Sequence, residues 1–276
     1  MLTELVLLFV LGLKTAWAPE YCPTVDMNQE RCTARQEEGY ALATQLSTWF
    51  VEEGERQDLS PFILAAVAFR EGSFTTGELC HVVVPVERIT RRTDVEARVA
   101  GDDREELCIT KLDGTEGCWT VLVLEESDTE VKIDRCGAGE QGMMQLVSHE
   151  TPAGLVIPAT GEALPRNARD RRAMVIETHN NISLGALTIH KVRDMCCAAD
   201  SQTCYDGYTF LQAYNSGHCT TDPDARYNAR IAGHLQKGLE YVCEQRPDAW
   251  MCGGDNLIGP ALAGPPEETP AEVPAP

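Results

Sequence analysis

Ile63-Leu64-Ala65-Ala66-Val67-Ala68-Phe69-Arg70-Glu71 is an apolar stretch that closes on one carboxylate. Ser60-Pro61 ahead of it reads as a helix start, with a hydroxyl at the N-cap and proline at N1. Gly72 behind it reads as a stop. The stretch therefore predicts a buried helix over 60–71, whose small Ala65, Ala66 and Ala68 let another helix come close. A carboxyl group held against such a helix loses hydration of its charged form, which suits it to donate a proton.

Upstream, residues 35–51 have helical spacing, with Leu42, Leu46 and Trp49-Phe50 on one side, ended by Gly54 and the polar run to Asp58. Downstream the character changes over residues 77–135. Short β-type runs appear at 81–85, 97–99, 107–109, 119–124 and 131–133, with turn signals at 101–103, 113–114 and 125–128. Cys80, Cys108, Cys118 and Cys136 fall in this region. It reads as a small antiparallel β insertion held by disulfides. Helical patterning resumes with one or two turns over 142–148, a polar connection at 161–172, and helices over 181–195, 205–214 and 226–243. Residues 253–276, rich in Pro, Ala and Glu, read as a disordered tail. The expected class is α+β and mainly helical.

Residues 1–18 read as a signal peptide: a short apolar run to Leu13, then Ala16-Trp17-Ala18 as a small-x-small cleavage site. The run is too short to span a bilayer. Twelve cysteines, an even number, suit a disulfide framework in an exported protein. Their pairing stays open. Cys196, Cys197, Cys204, His218 and Cys219 are the rival zinc ligands, but their spacing fits no standard zinc module, so no metal and no cofactor is expected. A formal net charge of −20 argues against a nucleic-acid partner, which needs a basic surface.

Four further segments follow the helix ending at Glu71 in a particular order: Ser73, then Gly142-Met143-Met144-Gln145, then Asn181-Ile182-Ser183-Leu184-Gly185, then Ala213-Tyr214-Asn215-Ser216-Gly217. In this order they resemble the catalytic domain of soluble lytic transglycosylases, relatives of goose-type lysozyme that cleave peptidoglycan glycan strands. Tyr227 with Ile231 is similar to the family's last helix, and Ala138 to its Gly-Ala lead-in. The resemblance covers residues 60–75 and 137–235. The family has Ser directly after its Glu, whereas Gly72 intervenes here, and about sixty residues separate the first two segments.

The resemblance implies a lysozyme-like domain over 19–252, with a cleft between the Glu71 helix and the segments bearing Gln145 and Tyr214. Glu71 would be the single general acid/base, because the substrate's N-acetyl group and C6 hydroxyl assist the reaction, unlike the usual two-carboxylate pattern. Ser73, Met144, Gln145, Tyr214 and Asn215 would bind substrate; carboxamides suit an aminosugar because they both donate and accept. Asn181, as a helix N-cap, Gly185 and Tyr227 take structural roles. The implied partner is peptidoglycan in the periplasm or outside the cell, and the insertion could roof the cleft or bind a protein partner. The alternatives are a hydrolase of peptidoglycan or of another N-acetylglucosamine polymer, and a non-catalytic glycan-binding protein on the same scaffold. His179, His190 and His218 pair with no Ser or Cys nucleophile in a recognisable pattern.

Overall fold

A computed structural model describes residues 1–18, 29–74, 81–95, 104–111, 114–134, 140–147, 151–198, 208–220 and 222–265. It divides into two compact units, Met1–Ala66 with Ile189–Pro276, and Val67–Thr188. The expected β run at 97–99, the turn at 101–103, Ala138 and the cysteines Cys22, Cys80, Cys136 and Cys204 lie outside the described residues.

The first unit is helical. It contains α1 (Leu2–Leu13), α2 (Gln29–Gln57), the start of α3 (Pro61–Gly72) and the end of α5 (Thr178–Cys197), then α6 (Leu211–Ser216), α7 (Arg226–Gln245) and α8 (Ile258–Ala263). The buried residues of α7 include Tyr227, Ile231, Leu235, Leu239 and Val242, a stripe spaced by three and four residues, as an amphipathic helix requires. The segment read as a leader forms α1, and Leu5, Val6, Phe9, Val10, Leu11 and Leu13 are buried. Gly238 permits its approach to α7, since a Cβ there would fall 2.4 Å from the Phe9 ring. Phe9 in turn meets Phe62 edge-on at 5.2 Å, and Arg246 of the α7 C-cap pairs with Glu4 at 2.8 Å. Cys196–Cys219 and Cys243–Cys252 are bonded in this unit, and Cys197 is also in a disulfide. The zinc alternative is thereby removed for these cysteines, because metal binding needs thiolates.

Two expectations are corrected here. Gly54 does not end α2, which runs on to Gln57. Asp58 takes the left-handed conformation (φ 51°) and Leu59 N donates to Gly54 O at 2.8 Å, a Schellman-type closure. Gly54 is small because the chain returns over it: a Cβ would lie 2.7 Å from Leu59 O. Residues 258–263, assigned by composition to a disordered tail, form α8 with Ala261 buried. Asn256 Oδ1 accepts from the N–H groups of Ile258 and Gly259, a cap that composition alone does not reveal. Residues 266–276 lie outside the described residues.

The second unit carries the expected antiparallel sheet. Strands β1 (His81–Pro85), β2 (Ile89–Val95), β3 (Arg104–Thr110), β4 (Glu116–Glu126) and β5 (Glu130–Asp134) lie in the order β1-β5-β4-β3-β2. Alternation puts Leu107, Ile109, Val121, Val131, Ile133 and Val84 in one apolar cluster. Cys108 and Cys118, directly opposite one another on β3 and β4, form the disulfide of this sheet. A second sheet is the hairpin β6 (Glu140–Gln141) and β7 (Leu146–Val147), followed by α4 (Ala168–Ile176) and the start of α5. Residues 142–145 are therefore a hairpin turn, where periodicity suggested a helix. Among the described residues no helix is long and apolar enough to cross a membrane.

Candidate active site

Glu71 is the next-to-last residue of α3 and is half-buried. Its Oε1 is buried and has no hydrogen-bond partner among the described residues. Buried polar atoms are nearly always paired, so an orphaned carboxyl oxygen marks a place where a ligand atom can serve as the partner. Ser73 N still donates to Phe69 O at 2.9 Å, but the chain then leaves the helix through two consecutive left-handed residues, Ser73 (φ 50°) and Phe74 (φ 58°). Phe74 is buried against Phe69, with ring centroids 5.2 Å apart, so apolar burial holds the turn. Each such non-glycine residue costs on the order of 1–3 kcal/mol and persists where packing imposes it, commonly at functional sites.

Gly72, the departure from the family pattern, has a steric cause. A Cβ there would lie 2.8 Å from Met143 O, so the α3 terminus rests directly on the 142–145 turn. That turn has Gly142 at φ 70° and Gln145 at φ 51°. It closes through Gln145 N to Gly142 O at 3.2 Å and through Gln145 Nε2 to the same oxygen at 2.7 Å. Beneath it, Asn181 Oδ1 accepts from Met144 N at 2.7 Å while Asn181 Nδ2 donates to Val175 O at 2.8 Å. Four residues on, a Cβ at Gly185 would fall 2.6 Å from Met144 Cγ. Asn181 and Gly185 lie on one face of α5 and together grip the turn.

The residues expected from sequence thus fall into two groups. Glu71, Ser73, Met144, Gln145, Asn181 and Gly185 belong to the second unit, and the α3 end, the turn and α5 are in contact there. Ser73 is exposed. Met144, expected to line the cleft, is fully buried against Gly185, and the Gln145 amide nitrogen is engaged within its own turn. Asn181 is not the N-cap of α5, which begins at Thr178; the Glu177 carboxylate accepts from His179 N and Asn180 N instead. Asn181 is fully buried and ties the turn.

Tyr214 and Asn215 lie on α6 of the first unit, the tyrosine half-buried and the asparagine exposed, ahead of a left-handed Gly217. Tyr227 is buried in the first turn of α7, and its N–H donates to Gln212 Oε1 at 3.0 Å, which links α7 to α6. Sequence reasoning missed Phe74, which sets the turn after Glu71. It also missed Arg70 Nε and Asn180 Oδ1, both buried without a partner among the described residues. No local signal identifies an orphaned polar atom, because its neighbours come from distant segments.

One group of metal-capable side chains stands close among the described residues, Glu106 with Cys108 and Cys118. The disulfide consumes both sulfurs, so the thiolates a soft metal needs are absent. Comparison with known proteins gives no matching family model, no matching curated protein and no matching solved structure.

Proposed function

We propose that this protein cleaves the β-1,4 bond between N-acetylmuramic acid and N-acetylglucosamine in peptidoglycan glycan strands, with Glu71 as the single general acid/base. The observation that carries the reading is the buried Glu71 Oε1, which has no hydrogen-bond partner among the described residues. It sits at a helix end seated on the 142–145 turn, which Asn181 and Gly185 hold from below. Three segments that resemble the transglycosylase pattern in order thus also meet in space. An oxidising compartment, which disulfides favour, would be the periplasm or the cell exterior, where that substrate lies.

In this reading protonated Glu71 delivers its proton to the glycosidic oxygen as the bond from C1 breaks. Positive charge builds at C1 and the substrate's own N-acetyl oxygen stabilises it, so no second carboxylate is required. The C6 hydroxyl then attacks C1 and gives its proton to the Glu71 carboxylate, which restores the acid and leaves a 1,6-anhydro ring. No water is consumed. Digestion of purified peptidoglycan by wild type and Glu71→Gln, read by mass spectrometry of the fragments, tests the proposal. Wild type should yield ends lighter by one water than hydrolytic ends, and Glu71→Gln should fall by at least about a hundredfold. Equal digestion by the two proteins would refute it.

A further inference from the structure

The Cys108–Cys118 bridge has no part in the proposed glycan chemistry, and its two sulfurs are unequal. Cys108 is fully buried, whereas Cys118 is exposed. Arg91 lies opposite Cys108 on the neighbouring strand β2. Its Nη2 stands 3.2 Å from Cys108 Sγ and 3.7 Å from Cys118 Sγ, and donates to Glu106 Oε1 at 2.9 Å. Among the described residues, neither Cys196–Cys219 nor Cys243–Cys252 has a guanidinium hydrogen-bonded to its sulfurs. Thiol–disulfide exchange needs an accessible sulfur to attack and a partner sulfur that leaves easily as thiolate, and a nearby cation favours that leaving group.

We propose that Cys108–Cys118 is a thiol–disulfide exchange site for a dithiol reductant, with Arg91 stabilising the departing Cys108 thiolate. One thiolate of the reductant attacks Cys118 Sγ. A bond forms between those sulfurs, the Cys108–Cys118 bond breaks, and its electron pair leaves on Cys108 Sγ beside Arg91. The second thiol of the reductant, after losing its proton to solvent, attacks its own mixed sulfur and displaces Cys118 as thiolate, which takes up a proton. The protein gains two electrons and the dithiol becomes a disulfide. Strands β3 and β4 remain paired by their ladder from 104–110 to 116–122, which keeps the cysteines opposite one another for the reverse reaction. The Glu106 carboxylate acts against Arg91 by placing negative charge near both the incoming and the departing thiolate.

The full chain is exposed to limiting dithiothreitol, quenched by alkylation at successive times, and each cysteine is followed by mass spectrometry. In wild type, Cys108 and Cys118 should be alkylated before the Cys196–Cys219 and Cys243–Cys252 pairs. Arg91→Gln should slow their reduction by about fivefold, Arg91→Lys should stay near wild type, and Glu106→Gln should speed it. A guanidinium that merely clamped the strands would give the opposite sign, with faster reduction once it was removed. Unchanged or faster reduction in Arg91→Gln overturns the proposal. Should that variant fail to fold, reduction of this bridge in wild type no earlier than the other two, or slower reduction in Glu106→Gln, overturns it as well. Glu71→Gln should be reduced at the wild-type rate, which keeps this result separate from the glycan reading.

Discussion

Asn181 does more for the candidate site than any residue in contact with solvent there. Its amide satisfies the Met144 N–H and the Val175 carbonyl in a buried place, so Asn181→Ala removes two buried hydrogen bonds. We expect a loss of about 2–4 kcal/mol in unfolding free energy, measured by urea denaturation. Gly185→Ala should lose about 1–3 kcal/mol, because its Cβ would overlap the buried Met144 side chain. Glu71 has the reverse balance. With Oε1 buried and without a partner among the described residues, Glu71→Leu should keep or raise the thermal midpoint while abolishing glycan cleavage. A marked fall in that midpoint would show that the carboxylate is stabilising the fold.

At the level of elements, the β insertion was legible and the site hairpin was not. Four of the β-type runs became strands because they are short, rich in Val and Ile, and separated by turn signals. The strand at Ile89–Val95 was missed, since its Arg91, Arg92 and Asp94 hide the alternation. The two arginines have partners on other strands: Arg91 pairs with Glu106, and Arg92 with Glu105 and with Glu126. The Arg92 hydrogen bond holds the Glu126 carboxyl below its ordinary value of 4.5. A carboxylate shifted down stabilises the folded state above its unfolded value and loses that contribution as pH falls through the folded one. Amide exchange in β4 should therefore show wild type better protected than Glu126→Gln at neutral pH, with the gap closing below about pH 4. The 142–145 turn was read as helix because Gly-Met-Met-Gln carries no turn signal beyond its glycine. Its conformation is imposed by Asn181 beneath it and by α3 above.

At the scale of the whole molecule, the first eighteen residues pose the sharpest test. An export leader makes no lasting contacts, yet α1 buries six large apolar side chains in the first unit. Burying each is worth about 1.5–3 kcal/mol, so a chain starting at Pro19 should be destabilised by more than about 5 kcal/mol or fail to fold. Circular dichroism with thermal melting checks this. If the shortened chain melts with the full one, α1 packing contributes nothing to the stability of the mature protein. The charge of −20 offers no attraction to an anionic cell wall. Recognition of glycan would then rest on hydrogen bonds and shape.

The helix that carries Glu71, the antiparallel insertion, the long helix α7 and the wealth of disulfides can all be read from the residues alone. Each of these is written in periodicity, capping residues or residue type over a short window. The close contact of Gly72 with Met143, the bracing of a turn by Asn181 and the placing of Arg91 beside a disulfide emerge only on folding. Those facts depend on which distant segments come together. A side chain's hydrogen-bond partners, and the loss of its water, exist only once the chain has packed.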